Sequence, residues 1–333
     1  MASDQQHSTT NNHSVLELNS VLLVILMLFT LFGNFILLLS IWKNKRLHKV
    51  THLHSMSLII ANFIPATTII PLRIARIWNE NDRDLNEETT LCEAYLTATL
   101  LWCVVSILTL VSVSLDRYIA ISRPDKYSSI LTHNRTLLIL FAVWCLAILV
   151  SFVSLYHTGS GLKLFTCNFN LLRKENYVYL LLTVEVIPLI LMFGIHYQIT
   201  KLSAKHAQSI GVVDSRFTEY KRIPLDFSAE VRWSRVVILV ILLYVLMWAP
   251  RCIYLIVDDN SMSSSSAKAF DVLTEVITYS FAGLAPLVLV HFNSDMREEF
   301  FRILMPYQWF RKSHGVGKKY KNTNTVTPFE MMM

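Results

Sequence analysis

The chain is short of charge and of glycine. Charged residues make up 16% of its 333 positions and hydrophobic residues 53%, where soluble proteins carry about 25% charge. So few charges cannot solvate that much apolar mass, so a pair of ordinary soluble domains is excluded and lipid must cover the surface. The 8 glycines form no nucleotide-binding pattern, and the 5 cysteines show no zinc spacing. With no metal or cofactor site and no catalytic constellation, an enzyme is not expected. No internal repeat is visible, which weighs against an inverted-repeat transporter. A net charge of +6 is too modest to suggest nucleic acid as a partner. Residues 1–19 contain neither Lys nor Arg, so the basic start of a signal peptide is missing and the first apolar run is expected to be a retained helix.

What the sequence has instead is long apolar runs. Four lack Asp, Glu, Lys and Arg altogether: Ser20–Trp42, Val50–Leu72, Ala94–Leu115 and Thr136–Tyr156. Three more contain one charge each: Tyr177–Thr200 with Glu185, Val236–Val257 with Arg251, and Val272–Phe292 with Glu275. Each is 21 to 24 residues long, and about 20 helical residues cross a hydrocarbon core. The runs are apolar on all sides, unlike the alternating strands of a membrane barrel. The expected fold is therefore an all-α membrane protein, a bundle of seven transmembrane helices.

Charge orients it. Of the 30 Lys and Arg, 22 lie in connections 43–49, 116–135 and 201–235 and in the tail 293–333. Only 7 lie in the N-terminus and the alternate connections. The basic side is cytoplasmic by the positive-inside rule, which puts the N-terminus outside. The sequon Asn12-His13-Ser14 falls on that outer side and makes Asn12 a candidate glycosylation site. Cys103, Cys145 and Cys252 lie within the runs and read as small packing residues.

Six of the seven runs carry a landmark. Gly33-Asn34 lies in the first and Trp144 in the fourth; Asp116-Arg117-Tyr118 closes the third, and Pro188 lies in the fifth. Trp248-Ala249-Pro250 lies in the sixth and Pro286 in the seventh, followed by Asn293–Phe301 as a short amphipathic eighth helix. In this order the chain resembles a rhodopsin-like (class A) G-protein-coupled receptor over about residues 20–305. Residues 1–19 are then an extracellular N-terminus, and 306–333 a basic, polar cytoplasmic tail expected to be disordered.

The resemblance implies a plasma-membrane protein with an extracellular ligand, a heterotrimeric G protein and possible arrestin as partners. It implies a disulfide between Cys92 and Cys167. It makes Asp116, Arg117 and Tyr118 the G-protein-coupling motif, with Glu230 as the partner of Arg117 in the inactive state. Breaking that pair would let the sixth helix swing outward. Tyr244, Trp248, Pro250 and Pro286 become the activation switch, and Thr99, Cys103, Glu185, Arg251, Glu275 and Tyr279 the candidate ligand pocket. Two readings of Arg251 stand open: an internal ion pair with Glu185, or reception of a ligand carboxylate. Thr99 stands where amine receptors of this family carry an Asp, and Tyr279 where opsins carry the retinal lysine, so neither ligand class is expected.

The chain also departs from the family pattern. Asn62 replaces the Asp of the second helix, Ala285 and Leu289 replace the Asn and Tyr around Pro286, Phe281 replaces a further Asn, and His196 stands where a Tyr is usual. Asn62 and Ala285 remove the carboxylate and one oxygen of the family's sodium site, which includes Ser106; no sodium is expected to bind. These changes leave open a receptor-like protein with weak or constitutive signalling. A membrane transporter is the reading from another class.

Overall fold

A computed structural model of the chain describes residues 2–44, 50–78, 85–159, 176–214, 225–256 and 264–304. Among them there is no strand. The helices are α1 (Ala2–Lys43), α2 (Val50–Ala61), α3 (Ile70–Trp78), α4 (Leu85–Ser122), α5 (Tyr127–Ile130), α6 (His133–Gly159), α7 (Asn176–Asp214), α8 (Leu225–Ile256), α9 (Ser264–Phe292) and α10 (Ser294–Leu304). Seven stretches are long and apolar enough to cross a membrane. These seven spans lie in α1, α2 with α3, α4, α6, α7, α8 and α9, and α10 is the short helix after the seventh. The expected seven-helix bundle is the fold.

The third span is its axis. Within its most apolar stretch 72% of residues are buried, against 22% in the fourth and fifth spans. Those peripheral spans turn large apolar side chains outward, such as Leu138, Phe141 and Leu149 in the fourth and Ile187, Ile190 and Phe193 in the fifth. Such faces are stable only against lipid. Trp144 ties the fourth span to the core by donating its indole N–H to Ser57 Oγ (3.1 Å), which in turn meets Thr109 Oγ1 (3.3 Å).

Prolines shape the remaining spans because each lacks an N–H and crowds the preceding turn. In the second span Pro65 opens a π-helical turn, Pro65–Ile69, between α2 and α3. In the seventh, Pro286 cannot donate to the carbonyl of Ala282 four residues back. The side-chain amide of Asn34 in the first span donates to that carbonyl instead, at 2.9 Å. Gly283 lets the two helices approach this closely, since a Cβ there would stand 2.8 Å from the Phe29 ring.

The helices overrun the apolar runs read from the sequence. α1 begins at Ala2 and runs on through the first apolar run to Lys43. α10 is amphipathic as anticipated: Met296, Glu299 and Phe300 are buried on one face. Its first turn is capped where the Met296 N–H meets Asn293 Oδ1 (3.1 Å). The tail 306–333 lies outside the described residues.

Candidate functional site

Three polar clusters lie along the bundle. The first is at the end where the third span finishes. Arg117 is 1% exposed, which a solitary guanidinium could not sustain in an apolar bundle. Its charge is met by Asp116, whose Oδ2 accepts from Nε at 2.9 Å, and by Glu230 of the sixth span. Tyr127, on α5, donates its hydroxyl to Asp116 Oδ1 (2.8 Å). The expected Arg117–Glu230 pair is therefore formed, and Tyr127 joins it from a connection in which sequence reading found no partner. Tyr118 is partly exposed, away from the cluster.

Midway, Tyr244 and Trp248 stack with ring centroids 5.6 Å apart, so the two do share a face. Trp102 of the third span lies 5.1 Å from Trp248, and Phe281 packs edge-on to Tyr244 at 5.1 Å. Phe281 thus takes an aromatic place in this layer, and Trp102, which had no motif to mark it, is fully buried at its centre. Glu185 joins from the fifth span: its Oε1 accepts from the Tyr244 hydroxyl (2.5 Å) and from the Cys103 thiol (2.7 Å).

The third cluster is a closed ring of ion pairs toward the Cys92 end. Arg73 donates to Asp271 Oδ2 (2.9 Å) and Glu275 Oε2 (2.7 Å). Arg251 donates to Asp271 Oδ1 (2.6 Å), with Glu275 Oε1 more distant at 3.5 Å. Tyr95 donates to Glu275 Oε1 (2.9 Å) and meets Tyr279 at 2.7 Å. Two guanidinium groups and two carboxylates from the second, sixth and seventh spans so neutralise one another. The Glu185–Arg251 pair considered from the sequence is not formed, because Arg251 faces the seventh span and Glu185 faces the third and sixth.

Arg73 and Asp271 were missed because each lies one residue outside an apolar run and reads there as a loop charge. The signal available was the spacing Asp271-Glu275-Tyr279, a strict four-residue stripe on one helical face. Thr99 is half-buried, with its hydroxyl turned to the Tyr95 carbonyl (2.8 Å). Cys92 is buried near the start of the third span. Its proposed partner Cys167 lies outside the described residues, as does the side chain of Asn12.

Residues 33–289 match the model of the 7 transmembrane receptor (rhodopsin family). The chain belongs to the rhodopsin family of seven-transmembrane receptors. Relatives of this receptor include the Histamine H2 receptor of Canis lupus familiaris, 25% identical over 84% of the chain and 77% of that protein. The 5-hydroxytryptamine receptor 2B of Dichotomyctere fluviatilis is 25% identical over 87% of the chain and 76% of its own length. The Alpha-2B adrenergic receptor of Erinaceus europaeus is 36% identical over 42% of the chain and 35% of its own length.

The receptor's departures from the family pattern sit close together. Asn62 donates its amide to Asn34 Oδ1 (3.4 Å), and its own Oδ1, like Ser106 Oγ, is buried without a partner. Ala285 and Leu289 are buried alongside. These are neutral oxygens, and no group of three metal-ligating side chains occurs among the described residues. A small cavity lined by Leu289, His54, Val113, Trp233 and Val240 lies between this layer and Arg117. In the fifth span His196 is turned inward to Ser114 (3.1 Å), while Tyr197 is exposed toward lipid.

Proposed function

We propose that this receptor sits in the plasma membrane with its N-terminus outside and relays an extracellular small-molecule or peptide ligand to a heterotrimeric G protein. The observation that carries the reading is the Arg117–Glu230 pair joining the third and sixth spans at the basic end of the bundle. Closed, it holds the sixth span in; opened, it frees the sixth span to swing out and Arg117 to meet the G protein. The stacked Tyr244–Trp248 layer and Pro250 lie between this lock and the opposite end, where Thr99, Cys103, Glu185, Arg251, Glu275 and Tyr279 are the candidate ligand-binding residues. Arg251 is already neutralised by Asp271 and Glu275, so a ligand carboxylate could engage it only by opening the ring. Two of the relatives are named for histamine and 5-hydroxytryptamine, which supports a small ligand. The Cys92–Cys167 disulfide, glycosylation of Asn12 and arrestin recruitment by the tail belong to the same proposal.

The test is G-protein dissociation in cells at matched surface expression. Glu230→Ala raises basal coupling and Arg117→Ala abolishes coupling. Equal basal signals from Glu230→Ala and the unaltered receptor would refute the lock.

A further inference from the structure

The inner end of the sixth span is fastened twice. Glu230 reaches Arg117 of the third span. Three residues on, in the next part of the same helical turn, Trp233 reaches the second span instead. Its ring meets His52 edge-on, with centroids 5.7 Å apart and planes at 71°. Both side chains are buried, near the inner ends of their spans. The two fastenings differ in chemistry, one joining opposite charges and the other two rings, and they share no residue.

The aromatic fastening is poised rather than tight. The small cavity bordered by His54, Val113 and Leu289 lies against the Trp233 ring, so the ring is not packed on every side. Its indole N–H is buried without an acceptor among the described residues, and the hydroxyl of the adjacent Ser234 is buried without a partner too. A polar group left unmet in an apolar interior costs free energy that exposure to water restores. Apolar contact therefore draws the ring inward, while two unmet polar groups on the same turn favour the span moving out. Such an opposed balance suits an element with two positions.

We propose that Trp233 is a second catch on the resting receptor, one that leaves His52 when the sixth span swings out, so that full opening requires release of both the charged and the aromatic contact. This rests on the outward movement in the proposed function; with Glu230 released alone, the span is still held at His52. The test is a double-mutant cycle on the full-length receptor, read as basal G-protein dissociation at matched surface expression. Hydrogen exchange of residues 226–240 is followed beside it, in purified receptor in lipid nanodiscs with no G protein present. Trp233→Ala and His52→Ala each speed that exchange and raise the basal signal about 2- to 10-fold, the range expected for loss of one aromatic pair. Together they do no more than the stronger of the two, because both remove the same contact. Trp233→Ala and Glu230→Ala combine by multiplying their single effects, because the catches are separate. Trp233→Phe keeps a ring against His52 and removes the unmet N–H, so its basal signal does not exceed that of the unaltered receptor. His52→Ala and Trp233→Phe carry the same comparison should Trp233→Ala fold poorly. Unchanged signal and exchange in the alanine variants, multiplying effects of Trp233 and His52, or effects of Trp233 and Glu230 that do not multiply, overturn the proposal. Faster exchange without any G-protein signal, in these variants and in Glu230→Ala alike, leaves the catch standing and overturns the coupling reading.

Discussion

Removing one carboxylate at a time from the four-charge ring gives unequal losses, and the geometry sets their order. In Asp271→Asn, Arg251 loses its 2.6 Å carboxylate partner and within the ring faces Glu275 at 3.5 Å, while Arg73 retains its 2.7 Å bond to Glu275. The closest partner of a buried guanidinium is then removed, and breaking a buried pair outright costs about 3–5 kcal/mol. In Glu275→Gln, Arg251 keeps Asp271 at 2.6 Å and Arg73 keeps it at 2.9 Å. Neither arginine is left alone, and the loss is nearer that of one charged hydrogen bond, roughly 1.5–3 kcal/mol. At roughly 2 °C per kcal/mol for a chain of this size, Asp271→Asn should lower the apparent melting temperature by several degrees more than Glu275→Gln. Purified receptor in detergent, heated at one fixed scan rate with a thiol-reactive dye, reads the ranking even though unfolding is irreversible. Equal losses, or a larger loss for Glu275→Gln, would show that the ring does not hold these partners.

Other consequences can be measured in the same preparations. Asn34→Ala strands the Ala282 carbonyl that Pro286 cannot satisfy and should cost about 1–3 kcal/mol, seen as a lower melting temperature; an unchanged midpoint would mean another donor serves that carbonyl. Tyr127→Phe removes the 2.8 Å bond to Asp116 but leaves Glu230 on Arg117, so its basal G-protein signal should rise less than that of Glu230→Ala. Exchanging sodium for N-methylglucamine should leave basal signalling unchanged, since Asn62 and Ser106 offer no carboxylate; a sodium effect lost in Ser106→Ala would contradict this.

Much of the architecture was legible because lipid imposes a length and a polarity that few other structures share. The Arg117–Glu230 pair was legible as well, since a motif marked one partner and the distance from Pro250 the other. The ring was not. Arg73 and Asp271 sit at the ends of apolar runs, where a charge reads as the start of a loop, and only the tertiary structure shows the helices carrying them inward. The choice between partners for Arg251 also lay beyond sequence: Glu185 and Asp271 are both carboxylates, and helix rotation decides which of them it meets. Trp102 lacked any marker because an aromatic in an apolar run is ordinary until its neighbours are known.

Glu230 and Arg251 stand near opposite ends of one rod, with Pro250 beside Arg251. At 1.5 Å per residue the two lie roughly 30 Å apart. If the rod pivots at the proline, a tilt of about 10° carries the Glu230 tip some ~5 Å sideways, while the guanidinium near the fulcrum shifts far less. A cramped ring of fixed charges is thus compatible with a wide excursion at the far tip, and a ligand need rearrange very little to produce it.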